Sequence, residues 1–284
     1  MDQHPPDVSR TQTLTRIVLN LVPDWRADEV GDFEYLSGGY SNENYRFHRS
    51  GEAFVLRVPE RVRPFVNRTL EAAFYGGDHS VRTAELIALD TRSGCLITRF
   101  EPGPLLADAK VSASEIAAYL RNLHDALPSS GRTYDPVRLV REYLAAGTPP
   151  DAIRRLADSL EWRPGTVGPC HNDLNPWNVL VSAAGPWVTL DWEWHGDNDP
   201  LFDLVTLHQS LGLDGASLED LSAAYLGHPG DRKRLQACLT AFWLREYAWA
   251  FAEHLHGNPR PEIEAQMSLA ATRLSALQSA TSSG

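Results

Sequence analysis

Lysine is nearly missing from this 284-residue chain: Lys110 and Lys233 stand alone among 26 basic residues, the rest being arginine. With 37 acidic residues against those 26, the formal net charge is −11. A surface this poor in positive charge is unsuited to neutralising a run of phosphates, which argues against nucleic acid as a partner. Cysteine is scarce too. Cys95, Cys170 and Cys238 are widely spaced, odd in number and form no CxxC pair. That excludes a disulfide framework and points to a reducing cytoplasm. Cys170 reads as a small buried hydrophobe rather than a nucleophile. No apolar run reaches the ~18 residues of a membrane span, and the N-terminus shows no basic-then-apolar leader. What remains, 43% hydrophobic and 22% charged residues, is ordinary for a globular protein with one large domain or two lobes around a cleft. The acidic balance suits a cationic small substrate.

One stretch organises the rest: GPCHNDLNPWNVLVSAAGPWVTLDWEWHGDNDPLFDL, from Gly168 to Leu204. It holds His171-Asn172-Asp173, then Asn178, an apolar run, a turn and a second apolar run ending at Asp191. Asn178-Val-Leu-Val181 and Trp187-Val-Thr-Leu190 are β-prone, with Ala184-Gly185 supplying a hairpin turn. A hairpin of that length brings its ends together, so Asp173, Asn178 and Asp191 are expected at one mouth. One carboxylate to take a proton, with an amide oxygen and a second carboxylate as hard ligands for Mg²⁺, is a minimal set for phosphoryl transfer from a nucleotide. Further on, Asp199-Pro200 reads as a turn opening a helix.

Upstream, residues 1–10 are polar and proline-containing and are expected to fray. Leu14, Ile17, Val18 and Leu21 mark one face of a helix. From Asp32 the pattern turns to strand: DFEYL, NENYRFHR and AFVLRVP make three antiparallel strands, and Ala84–Leu89 and Gly94–Phe100 add two more. Gly38 and Gly39 in the first turn permit close backbone approach to a ligand, and Ser41 and Asn42 are candidate donors to phosphate oxygens. Arg57 lies in the apolar strand FVLRVP, where a charge is costly unless an anion answers it. Pro64–Tyr75 reads as a helix carrying Glu71, ended by Gly76-Gly77. Beyond residue 103 the pattern is helical: Ser114–Asp125, 136–146, 150–161, Asp231–His256 and Glu262–Leu277.

The spacing HNDLNPWN resembles the H-x-D-x-x-x-x-N catalytic loop of the protein-kinase-like fold, with Asp191 as its metal-binding aspartate. HNDLNPWNVL and DWEWHGDNDPLFDL are similar to the signatures of choline/ethanolamine kinases and their aminoglycoside-phosphotransferase relatives. The resemblance covers roughly residues 33–210 and implies an α+β, two-lobed fold. A nucleotide-binding lobe at 1–101 would carry the sheet, and 102–284 a helical lobe. It implies ATP and Mg²⁺ as cofactors. Asp173 would be the base and Asn178 and Asp191 the metal ligands. Arg57, where relatives have lysine or arginine, would be the phosphate clamp, with Glu71 as its partner. Arg99, Phe100 and Glu101 would lie at the hinge that holds adenine through backbone bonds, and Asp203 would brace the catalytic loop.

The acceptor implied is the hydroxyl of a small cationic amino alcohol such as choline or ethanolamine. Choline kinases bind their cation with aromatic rings and carboxylates, which makes Glu193, Trp194, Trp243, Glu246, Tyr247 and Trp249 candidate substrate contacts. An antibiotic such as an aminoglycoside is the alternative acceptor. A catalytically silent ligand-binding protein and a metallohydrolase using His171, Asp173, Asp191 and His195 are the alternatives of other classes. His195, Asp197 and Asp199 alternate like metal ligands, though no helical H-x-x-x-H accompanies them.

Overall fold

The computed structural model describes residues 6–37, 41–61, 63, 65–183, 185–213, 218–258 and 260–282. Two compact units emerge. The first comprises residues 1–111, 126–128 and 175–195; the second comprises 112–125, 129–174 and 196–284.

The first unit opens with α1 (Val8–Leu21). The expectation that residues 1–10 fray is corrected for Asp7 to Arg10, residues 1–5 lying outside the described residues. Asp7 caps the helix by accepting from the Arg10 amide, and Arg10 pairs with Glu43, so order begins before residue 10. Five strands follow: β1 (Val30–Leu36), β2 (Asn42–Arg49), β3 (Glu52–Pro59), β4 (Leu86–Leu89) and β5 (Leu96–Arg99). They form one antiparallel sheet in the order β1-β2-β3-β5-β4, which makes β3 the central strand. Alternation then divides its side chains. Phe54 and Leu56 join Leu14 and Val18 of α1, with Phe33, Phe47 and Ile97, in one buried core. Arg57, one residue out of phase, faces away from that core. There it meets Glu71 of α2 (Arg68–Tyr75). This helix starts at Arg68 rather than near residue 64, because the Asn67 side chain accepts from the Thr69 and Leu70 amides and caps it.

The first unit also takes in the ribbon β7 (Val179–Leu180) and β8 (Val188–Thr189). Bridges Thr83↔Thr189 and Leu105↔Leu180, and a bond from the Val181 amide to the Pro104 carbonyl, stitch it there. The units therefore interleave along the chain, where a single division near residue 101 was expected.

The second unit holds α3 (Ala113–Ala126), α4 (Pro136–Leu144), α5 (Asp151–Ser159), β6 (Gly168–Cys170), β9 (Gly196–Asn198), α6 (Pro200–Leu211), α7 (Leu218–Leu226), α8 (Arg232–Leu255) and α9 (Pro261–Ser282). Asp199 caps α6 and Pro200 takes its first position, as the Asp-Pro pair predicts. Helix α8 packs against α4, α6 and α9, and its buried residues lie all around it, including Phe242, Trp243, Leu244, Arg245 and Tyr247. The architecture is α+β. Among the described residues, no helix is long and apolar enough to cross a membrane.

Candidate functional site

In the first unit, the ribbon places Asn178 and Asp191 at the same end: the Asn178 carbonyl accepts from the Leu190 amide at 2.8 Å. Asp191 has φ +62, a left-handed conformation that aspartate tolerates better than most residues. Its Oδ1 accepts from Arg57 Nη1 at 2.7 Å. The same guanidinium forks onto Glu71 at 2.6 and 2.9 Å, and Nη2 also reaches the Gly94 carbonyl at 3.2 Å. Arg57 is 4% exposed, so these anions keep a buried cation charged. Burial alone would lower its pKa, yet Glu71 and Asp191 hold it well above the ordinary arginine value.

Arg68 extends the cluster, donating to Glu71 at 2.8 Å and pairing with Glu193 at 2.6 Å. Asn67-Arg68-x-x-Glu71 resembles the helix after the basic strand in the kinase family, but that resemblance assigns this second arginine no role. A side chain on Gly94 would meet Arg68 Nε at 2.7 Å, so this glycine, at φ +78, makes room for the arginine. Three carboxylates therefore face two guanidiniums. The excess negative charge appears at Asp191, whose pKa is pushed up to about 7 by burial and by Glu193, against the pull of Arg57. A carboxylate and an amide at the end of one ribbon, in a locally anionic cluster, fit a hard divalent cation. Asn42 Oδ1 and Arg57 Nε are buried without a hydrogen-bond partner among the described residues, as donor and acceptor atoms awaiting a polar ligand would be.

The other nucleotide candidates are less concentrated. Gly38 and Gly39 lie outside the described residues. Ser41 gives its carbonyl to the Glu60 amide. Arg99 pairs with Glu85 and Glu52, Arg46 lies over the Phe100 ring, and Glu101 pairs with Arg82. The Arg99 and Phe100 amides already bond the Glu85 and Ala53 carbonyls, so a base contact by those two would fall to their carbonyls. Trp194 is buried and stacks with Phe65, and Glu193 is the partner of Arg68.

In the second unit, the catalytic-loop sequence is held from several sides. Asp203, fully buried, accepts the His171 amide at Oδ2 and the Asn172 amide at Oδ1, both at 2.7 Å. His124 Nε2 donates to the same carboxylate at 3.1 Å, and its Nδ1 meets the Tyr225 hydroxyl. Burial opposes the charge of Asp203, but His124 and His171 leave its pKa below the usual carboxylate value. His124, Cys170 and Asp203 are close enough to share a metal. These bonds instead make Asp203 and His124 a brace for the loop. Asn172, at φ +68, donates to the Gly196 carbonyl at 3.0 Å and accepts from Asn198 at 2.8 Å. A side chain at Gly196 would sit 3.2 Å from both the Arg132 carbonyl and Tyr134, which explains the glycine after DWEWH. Burial raises the Cys170 thiol well above its ordinary pKa, which suits the small-hydrophobe reading.

Asp173 is partly exposed and accepts from Arg245 Nη2 at 3.2 Å. No motif in the sequence marks Arg245. Of the α8 candidates, Trp243 bonds Gln209 and lies under Arg273, Tyr247 stacks with Phe251, and Glu246 bonds Arg245 and Gln266. At about 100° per residue, Trp243 and Tyr247 share a face while Trp249 points nearly opposite to Tyr247. The helix does not bring the three rings together.

The alternating His195, Asp197 and Asp199 have other occupations. His195 bonds the Pro128 carbonyl, Asp197 accepts from Ser129 and Ser130, and Asp199 pairs with Arg234.

Residues 32–238 match the family described as Phosphotransferase enzyme family, APH. Protein LicA of Haemophilus influenzae is 26% identical over 254 residues, which cover 78% of this chain and 73% of that protein. The structure of choline kinase LicA from Streptococcus pneumoniae superposes with a TM-score of 0.75 at 19% identity, over 94% of this chain and 99% of that one. A choline/ethanolamine kinase family protein from Mesorhizobium loti gives 0.71 at 22% identity, over 94% of each chain. The fold is thus protein-kinase-like. Nucleotide complexes occur in this group, with AMP on LicA and with GDP beside kanamycin on APH(2")-IIia.

Proposed function

The chain belongs to the phosphotransferase enzyme family, and from that premise we propose that it transfers a phosphoryl group from ATP to the hydroxyl of a small cationic amino alcohol, with choline or ethanolamine as the leading acceptors. It is a small-molecule kinase, so the open questions are which residues act and on what. The observation that carries the reading is the Arg57–Glu71–Asp191 cluster, with Arg57 and Glu71 buried and Asp191 partly exposed on the same ribbon as Asn178.

Within it, Asn178 and Asp191 would hold Mg²⁺, whose role is to neutralise charge across the phosphates. Arg57, oriented by the Glu71 fork, neutralises phosphate charge in turn. Arg57 can keep its Nη1 bond to Asp191 and still offer Nε to a phosphate oxygen. Asp173 accepts the proton of the acceptor hydroxyl. The transition state of phosphoryl transfer is loose, so orientation of that hydroxyl outweighs base strength. The acceptor class draws support from the choline kinase relatives and from the acidic chain. The buried α8 rings do not add to it.

Two substitutions separate the roles. Asp173→Asn should lower turnover by about 10²–10⁴-fold while Mg²⁺-ATP affinity changes little by calorimetry. Asp191→Ala should abolish Mg²⁺-dependent nucleotide binding. Near-wild-type turnover in the first variant removes Asp173 as the base, and unchanged binding in the second removes Asp191 from the metal site.

A further inference from the structure

Arg245 is a guanidinium in the middle of α8, only 5% exposed, on a helix otherwise buried mainly through apolar residues. Burying such a cation is costly unless it is paired and bonded on several sides. Its bonds go to the catalytic loop. Nη1 donates to the Asn172 carbonyl at 2.5 Å and faces the Tyr134 hydroxyl at 3.4 Å, while Nη2 donates to Asp173 Oδ1 at 3.2 Å. Glu246 supplies the counter-charge through Oε1, at 2.9 Å from Nη2 and 3.2 Å from Nε. Gln266 of α9 holds the other Glu246 oxygen at 2.8 Å. The rings of Phe202 and Phe242 lie 5.3 and 5.7 Å away, which fixes the plane of the fork.

We propose that Arg245 is the positioning residue of the catalytic base: one arm sets the backbone of the loop at Asn172, and the other sets the carboxylate of Asp173. Glu246 and Gln266 hold the guanidinium in register. The backbone at Asn172 is in the left-handed region, which asparagine, like aspartate, tolerates better than most residues. The loop keeps that conformation because Asp203 grips its amides from one side and Arg245 its carbonyl from another. Burial would drive the Arg245 guanidinium toward neutrality, but Tyr134, Glu246 and Asp173 hold its pKa well above the ordinary value. The arm on Asp173 therefore stays charged and favours the ionised base. A lysine, with one point charge, can make either contact but not the fork.

The inference rests on Asp173 being the base, and the test keeps the two apart. Turnover of Mg²⁺-ATP is measured with choline as acceptor and, in parallel, as slow phosphate release to water. The proteins are the wild type, Arg245→Gln, Arg245→Lys, Glu246→Gln, Asp173→Asn and the double variant Asp173→Asn/Arg245→Gln. Arg245→Gln should lower kcat about 100-fold, the scale of a misplaced reacting group, with KM for ATP nearly unchanged. The acid limb of its kcat–pH profile should move up by about one unit, because a cation beside an aspartate favours the charged form. Arg245→Lys should recover part of the rate. In the Asp173→Asn background, the Arg245 substitution should add almost nothing.

An equal loss in both backgrounds, or a loss that tracks melting temperature with the acid limb unmoved, would overturn the proposal and leave Arg245 as a core ion pair. If Arg245→Gln does not fold, Arg245→Lys and Glu246→Gln carry the same two readouts. Full activity in Asp173→Asn would sink the base assignment, and the positioning role with it. An inactive Asp173→Asn beside an unimpaired Arg245→Gln would sink the positioning role alone.

Discussion

Asp191 combines a left-handed backbone with a carboxyl whose pKa is raised to about 7 by burial and by Glu193. An unfolded chain would hold it as an ordinary aspartate, near 4. A folded value above the unfolded one means that its favourable contribution is complete below about 4 and is lost as pH rises through 7. Asp191→Asn removes the titration. Without Mg²⁺, the variant should therefore gain melting temperature relative to the wild type as pH rises from 5 to 8, with the difference levelling above. Thermal unfolding of both proteins across that range checks it; a constant difference would show that Asp191 does not titrate there. The same charge excess that destabilises the free protein is what a divalent cation would relieve.

At the scale of elements, the left-handed turn at Gly94 decides whether β3 and α2 can share their charge cluster. Its carbonyl accepts from Arg57, and its missing side chain leaves space for Arg68. Gly94→Ala forces a β-carbon against that guanidinium in a conformation costing alanine about 1–2 kcal/mol, before any ion pair is lost. Urea denaturation should show at least that loss, with nucleotide affinity weakened as well. An unchanged midpoint would mean that the turn relaxes freely.

These elements also show what was legible beforehand. Strand alternation and the FVLRVP charge gave the five strands and the place of Arg57, because each follows from local periodicity and the cost of one buried charge, whereas Glu71 as its partner was implied by the family resemblance. The Asp199-Pro200 helix start was equally local. The roles of Arg68, Gly94 and Arg245 were not legible. Each matters only through atoms brought near it by folding: Arg68 through Glu193, Gly94 through Arg68, and Arg245 through a loop far away in sequence. Aromatic rings on α8 are by default core, and the choline-kinase resemblance alone made them candidates for a cage. Helical phase instead turns Trp249 away from Tyr247, and counting rings ignores phase.

At the scale of the whole molecule, the chain is a phosphotransferase whose fold is shared by kinases of choline and of antibiotics. The family and the fold follow from motif and topology. The acceptor does not, because a fold hosts many substrates and the acceptor depends on side chains that differ between relatives. The cationic amino alcohol proposed as acceptor is therefore tested at this scale, by the reaction itself. The direct measurement is turnover of Mg²⁺-ATP against a panel of choline, ethanolamine, kanamycin and spectinomycin, with mass spectrometry of the products. Choline or ethanolamine should gain one phosphoryl group, a mass increase of about 80 Da, at a rate far above that of either antibiotic. A phosphorylated antibiotic with both amino alcohols unchanged would contradict it.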